Sequence, residues 1–178
     1  PALSGLLDHW PDPLPGCHRR YFPDWGVTVD FWWGDANEIL SDLASHGRQW
    51  VDAWYLDGFS PSTGPGPWST EVYAGMAALS KPQATLATFS VARDVREGLS
   101  EAGFTTEKRP GFAGKRDTLT GTLCRSVPSP ASLTPWDLNP APKHYHRALV
   151  VGAGLAGAHT AYALASRGIE VTVLEADV

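Results

Sequence analysis

The chain has 178 residues, with 14 Lys and Arg set against 19 Asp and Glu, for a formal net charge of −5. With a sequence pI near 5.6, nothing in the overall balance draws it to nucleic acid or an anionic membrane, so any polyanion must meet a local basic patch. Cys17 and Cys124 are too few and too distant in sequence for a disulfide scaffold, and no spanning apolar run or signal peptide stands out, so a cytoplasmic protein without membrane contact is expected.

In chain order, residues 3–10 read as a short helix, Val27–Trp33 as a strand running into Gly34 and Asp35, and Ala36–Ser45 as an amphipathic helix. Val51–Leu56 reads as a strand ending at Asp57. After the loop GFSPSTGPGPW come a helix at Thr70–Leu79, a strand at 84–90 and a helix at 91–102. Strands at 105–109 and 119–124, joined by the turn PGFAGKRD, close the region. Residues 127–142 hold Pro128, Pro130, Pro135, Pro140 and Pro142 without helical or strand periodicity, which predicts a semi-extended linker, or else a long surface loop of one domain. His144 and His146 lie just beyond it with no Cys or carboxylate at ligand spacing, so no metal site is expected.

The run ALVVGAGLAGAHTAYALASRGIEVTVLE, Ala148 to Glu175, has the order strand, glycine turn, helix, strand and acid. Gly152 permits the tight turn, Gly154 lets backbone approach a pyrophosphate, and Gly157 lets the helix pack on its strand, while the helix N-terminus offers unpaired N–H groups to phosphate. Glu175 is near the spacing of about 20 residues expected for an acid that accepts from ribose hydroxyls, which disfavours a 2′-phosphate. The unit predicts a dinucleotide site and leaves FAD and NAD open.

Parallel βα units followed by a hairpin resemble the carboxyl part of a class I, Rossmann-like methyltransferase sheet, in which ligands lie beyond the carboxyl ends of the strands. The runs WPDPLPGCHR, FWWGDANEIL, VDAWYLDGFSPSTGPGPW, ATLATFSVARDVREGLSEAGF and KRPGFAGKRDTLTG, then VVGAGLAGAHTAYALASRG, carry a closer resemblance. Together they resemble the bifunctional tRNA 5-methylaminomethyl-2-thiouridine biosynthesis family. Its most specific element is an LDGF-type methyltransferase region joined to a flavin fingerprint across a short linker. The resemblance implies a partial S-adenosylmethionine-dependent methyltransferase domain at 1–126, a linker at 127–146 and a partial FAD-binding domain at 147–178. It implies tRNA as substrate: an FAD-dependent step removes the carboxymethyl group of a wobble 5-carboxymethylaminomethyl-2-thiouridine, and S-adenosylmethionine then methylates the exposed amine.

On that reading Asp57 holds the amine and takes its proton, with Phe59 and Pro61 walling the base; the plainer role for Asp57 is to cap its own loop. Asp35 resembles the position that meets the cofactor adenine, and it equally suits an N-cap for the helix that follows. Lys108, Arg109, Lys115 and Arg116, which flank PGFAG in the closing hairpin, form a basic tetrad for phosphate contacts. Phe112 is placed to stack on an unpaired base, unless this is simply a solvated charged turn. Trp32, Trp33, Trp54 and Trp68 are expected to be mostly packing residues. The family's glycine-rich cofactor loop and first two strands are not found ahead of Val27. The expectation is therefore a piece of a longer protein, inactive and poorly folded by itself, with an unpaired edge on the strand from Val51. The competing expectations are an FAD or NAD oxidoreductase with an accessory amino-terminal domain, and a noncatalytic RNA-binding module.

Overall fold

Beyond Phe22, the computed structural model places most elements where periodicity put them; it describes residues 6–7, 9–57, 68–112, 114–125 and 145–176. The strands are β1 (Gly16–Phe22), β2 (Val27–Trp33), β3 (Val51–Leu56), β4 (Ser80–Thr88), β5 (Phe104–Pro110), β6 (Asp117–Leu123), β7 (Arg147–Val151) and β8 (Glu170–Leu174). The helices are α1 (Ala36–Ser45), α2 (Thr70–Leu79), α3 (Arg93–Glu101) and α4 (Leu155–Ala165). Two compact units result, residues 34–137 and residues 1–33 gathered with 138–178.

The first unit is built on a four-stranded sheet of order β3-β4-β6-β5. β3 and β4 are parallel, with Leu56 opposite Thr88, while β6 runs antiparallel to both β4 and β5. A reversed strand inserted between two others of like direction is the closing arrangement expected of a class I methyltransferase sheet. The alternation along each strand fixes which face is covered. Ala84, Leu86, Leu119, Leu123 and Phe104 point into a buried core with Val72, Tyr73 and Met76 of α2 and Val95 and Leu99 of α3. The opposite face carries Thr85 and Thr105, and Tyr55 there is 84% exposed, so the helices cover one side only. Among the described residues β3 has a strand neighbour on one edge alone.

Two local features set the helix positions. Gly75 lets α2 approach α1, since a Cβ there would lie 2.9 Å from the Leu40 Cβ. The buried Ser80 hydroxyl accepts from the Trp54 indole at 2.9 Å and donates to the Met76 carbonyl at 2.7 Å, which ties β3 to the end of α2 without leaving a polar atom unpaired.

Three expectations are corrected. Strand β1 was not expected, because His18, Arg19 and Arg20 break its apolar alternation; its register is fixed instead by Arg19 opposite Asp30, whose side chains form two hydrogen bonds of 2.6 Å. The guanidinium holds the Asp30 carboxyl below the usual carboxylate range. β2 therefore pairs antiparallel with β1 rather than joining the parallel sheet. Finally, β4 starts at Ser80 and α3 at Arg93, because Lys81, Pro82 and Gln83 are extended despite their polarity, and Phe89 to Ala92 turn the chain toward the helix.

In the second unit the β1–β2 hairpin gathers an aromatic cluster, with Trp10 edge-on to Phe31 and Trp33 at 5.1 and 6.0 Å. The same unit holds the parallel pair β7 and β8 with α4. Gly157, Ala161 and Leu164 lie on the half-buried face of α4, and the Arg167 guanidinium sits 4.8 Å from the Tyr21 ring centroid. No described helix is long and apolar enough to cross a membrane.

Candidate functional site

The carboxyl ends of β3 and β4 bring the first group of residues together. Asp57 and Phe89 each stand one residue past the last register pair, Leu56 with Thr88, so they end adjacent strands. Neighbouring strands lie roughly 4.8 Å apart. Asp57 is exposed. Phe59 and Pro61 fall outside the described residues.

Asp35 caps α1: its Oδ1 accepts from the Asn37 backbone N–H at 2.8 Å and from the Asn37 side-chain amide at 3.0 Å. These bonds from Asn37, with one from the Glu38 backbone, hold the carboxyl below its ordinary range, so it is firmly ionised. The carbonyl oxygen of the Asn37 side chain in turn accepts from the Ser69 hydroxyl, and Ser69 caps α2 by accepting from Val72 N–H at 3.2 Å. The N-termini of α1 and α2 are thus tied together through Asn37 and Ser69. Neither Asn37 nor Ser69 was singled out from sequence; an acid and a serine each directly before an apolar helical run was the available signal.

The basic tetrad divides into two pairs. Lys108 is 2.9 Å from Asp117 and Arg109 is 2.8 Å from Glu107, so these two cations are locally neutralised. Arg116 is 96% exposed with its nearest acid 4.0 Å away, and Lys115 lies with its ammonium 6.0 Å from the Phe89 ring centroid. Lys115 and Arg116 are the two that remain available to an anion.

The glycine loop between β7 and α4 forms the other group. Gly152 has φ of +96°, a conformation that favours glycine. At Gly157 a Cβ would collide with the Gly152 carbonyl oxygen, so only glycine lets α4 begin this close to the loop. Gly154 is the N-cap and has open space around its Cα. The Glu175 carboxylate accepts from Ala153 N–H and, at 2.9 Å, from Ala176 N–H, which seats it beside the glycine loop. A cradle that a Cβ would fill, with an acid at the end of the second strand, suits the ADP half of a dinucleotide. Among the described residues no three His, Cys, Asp or Glu side chains converge as metal ligands.

Two family models match parts of the chain. Residues 1–124 match the family model described as S-adenosyl-L-methionine-dependent methyltransferase. The chain belongs to that family. Residues 147–178 match the model described as FAD dependent oxidoreductase. A solved structure, the crystal structure of the M1.HpyAVI-SAM complex, is similar at 16% identity and a TM-score of 0.39, covering 81% of this chain and 91% of that one. This is an enzyme chain that joins a methyltransferase region to an FAD-dependent oxidoreductase region, and its cofactors are S-adenosylmethionine and FAD.

Proposed function

We propose that the protein acts on the wobble uridine of tRNA in the cytoplasm, with domains at 1–126 and 147–178 joined by the linker 127–146. The FAD-dependent region removes carboxymethyl from 5-carboxymethylaminomethyl-2-thiouridine, and the methyltransferase region converts the resulting aminomethyl group to methylaminomethyl. The observation that carries this reading is the succession of methyltransferase and flavin family matches on one short chain, in that order. Two free, exposed cysteines suit a reducing compartment.

When bound, S-adenosylmethionine would supply an electrophilic methyl group, and FAD would serve as the two-electron oxidant of the C–H beside the substrate nitrogen, after which water completes release of the carboxymethyl group. The chain's own residues do the rest. Asp35, ionised and fixed by Asn37, accepts from the adenine amine. Asp57 accepts a hydrogen bond from the substrate ammonium and takes its proton, because only the free amine has a lone pair for the methyl group. Holding that nitrogen in line with the methyl is the second contribution of Asp57. Lys115 and Arg116 hold backbone phosphates. Gly152, Gly154 and Gly157 bring α4 backbone N–H groups to the FAD pyrophosphate, and Glu175 accepts from the ribose.

The experiment is transfer of labelled methyl from S-adenosylmethionine to tRNA carrying the aminomethyl nucleoside, in the full-length protein. Asp57→Asn should lower kcat by roughly 10²–10⁴-fold, the usual contribution of general-base catalysis. Undiminished transfer in Asp57→Asn, or label entering DNA or protein instead of tRNA, overturns the reading.

A further inference from the structure

Phe89 takes no part in the core. It follows β4 directly and is 39% exposed, continuing the alternation in which Ala84, Leu86 and Thr88 are buried and Thr85 is open. Its ring meets that of Phe112, 5.1 Å away and tilted by 55°. Phe112 is 69% exposed and opens the turn at the tip of the β5–β6 hairpin. That turn is held shut: Lys115 N–H donates to the Phe112 carbonyl at 3.0 Å, Gly111 N–H donates to Arg116 at 3.0 Å, and Gly114 supplies the positive φ of +83° that such a turn requires. Phe112 and Lys115 are therefore fixed at its two ends, and both face Phe89. Two exposed aromatic rings, a cation over one of them, and the acid Asp57 at the adjacent strand end stand on the same rim of the sheet.

We propose that Phe89 and Phe112 form a stacking platform for one unpaired nucleobase, with Lys115 and Arg116 on the flanking phosphate. The inference rests on the RNA-modifying reading above and adds to it the element that positions the base beside Asp57. Electrostatics select this occupant. A purely apolar partner gains nothing from Lys115 and Arg116, and a purely anionic one gains nothing from two ring faces. A nucleotide uses both. Phe89 and Phe112 are positioning residues: they touch the base and leave the proton transfer to Asp57.

The test uses the full chain and a short RNA stem-loop with 2-aminopurine at an unpaired loop position, whose fluorescence is quenched by stacking. Wild type should bind and quench. Phe112→Leu and Phe89→Leu should each weaken binding about tenfold and relieve the quenching, as loss of one base–aromatic stack does. Phe112→Trp should restore both, which a merely structural role would not give. Lys115→Gln should reduce the slope of log Kd against log salt by about one unit without changing the quenching. S-adenosylmethionine affinity should be the same in all four variants. Leucine variants that bind and quench as wild type does overturn the platform while leaving the RNA reading intact. A wild-type chain that binds no stem-loop at any salt concentration overturns both.

Discussion

The link between the two helix N-termini makes a measurable demand. Ser69 does two things: its hydroxyl oxygen caps α2 through Val72 N–H, and its proton goes to the Asn37 side chain of α1. Replacing a serine N-cap by alanine costs about 1 kcal/mol. Losing a hydrogen bond between half-buried neutral groups costs about 1 kcal/mol more. Ser69→Ala should then destabilise α2 by about 2 kcal/mol and Asn37→Ala by about 1 kcal/mol, with the double variant no worse than Ser69→Ala and a coupling of about 1 kcal/mol. Native-state amide hydrogen exchange is the suitable assay because it reads local opening without needing one cooperative transition for the whole chain. Exchange of the α2 amides from Tyr73 to Met76 should speed up about thirtyfold in Ser69→Ala and about fivefold in Asn37→Ala, at tenfold per 1.4 kcal/mol. If the two effects add to within about 0.3 kcal/mol, the helices are not tied through this bond. The account of α1 and α2 as tied at their N-termini then fails.

The Tyr73 hydroxyl is buried without a partner among the described residues, and burial, with a smaller effect of Asp94, pushes its pKa up to about 12. Tyr73→Phe should therefore stabilise the protein by up to about 1 kcal/mol in urea unfolding at pH 7. Because the folded pKa is raised, the neutral phenol's contribution is complete below the unfolded value near 10 and is lost as pH climbs toward about 12; that alkaline decline should vanish in Tyr73→Phe. For Asp35 the sign is opposite: its folded pKa is lowered, so its contribution is complete above the unfolded value near 3.9 and fades as pH falls through the depressed one, and Asp35→Ser, which keeps a cap but no charge, should flatten the acid limb of a thermal melt. Gly157→Ala must push α4 off the Gly152 carbonyl, an overpacking cost of about 1–3 kcal/mol, and should abolish flavin absorbance at 450 nm in the purified full-length protein, whereas Gly154→Ala, with open space around it, should leave the fold unchanged and weaken only FAD retention.

How much of this was legible in the sequence follows from where each signal lives. β3, α1 and α2 came out at their observed ends, because period and cap agree: Asp35 and Ser69 each precede an apolar helical stripe. β1 was missed because its cohesion is an Arg19–Asp30 pairing across eleven positions, which no window of periodicity sees. The basic tetrad was visible as composition, but its division was not. Lys108 meets Asp117 across the hairpin, a contact that register sets, while Arg109 pairs with Glu107 two positions back on the same strand. Phe89 was read inside a strand at 84–90, and its open side follows that strand's alternation, but its pairing with Phe112 depends on a hairpin turn in which Gly114 takes positive φ.

The two roles read for Asp35, cap and cofactor contact, need not compete, and Glu175 has similar room. Asp35 spends Oδ1 on both bonds from Asn37, and Glu175 takes one backbone N–H on each oxygen. A carboxylate has about four lone-pair sites, so capping leaves each acid able to accept from a ligand. Capping also prepares it: fixed by backbone N–H groups, the carboxylate loses no rotamer freedom on binding, and Asp35 is kept ionised to receive a donor. On the proposed reading the cap is part of how Asp35 would be positioned for the adenine amine, and a variant that keeps the cap but alters the charge separates the two. Asp35→Asn retains a good N-cap. It should keep the helix and lose the charge-assisted bond to the adenine amine, so a wild-type affinity for S-adenosylmethionine in that variant would leave Asp35 as a cap alone.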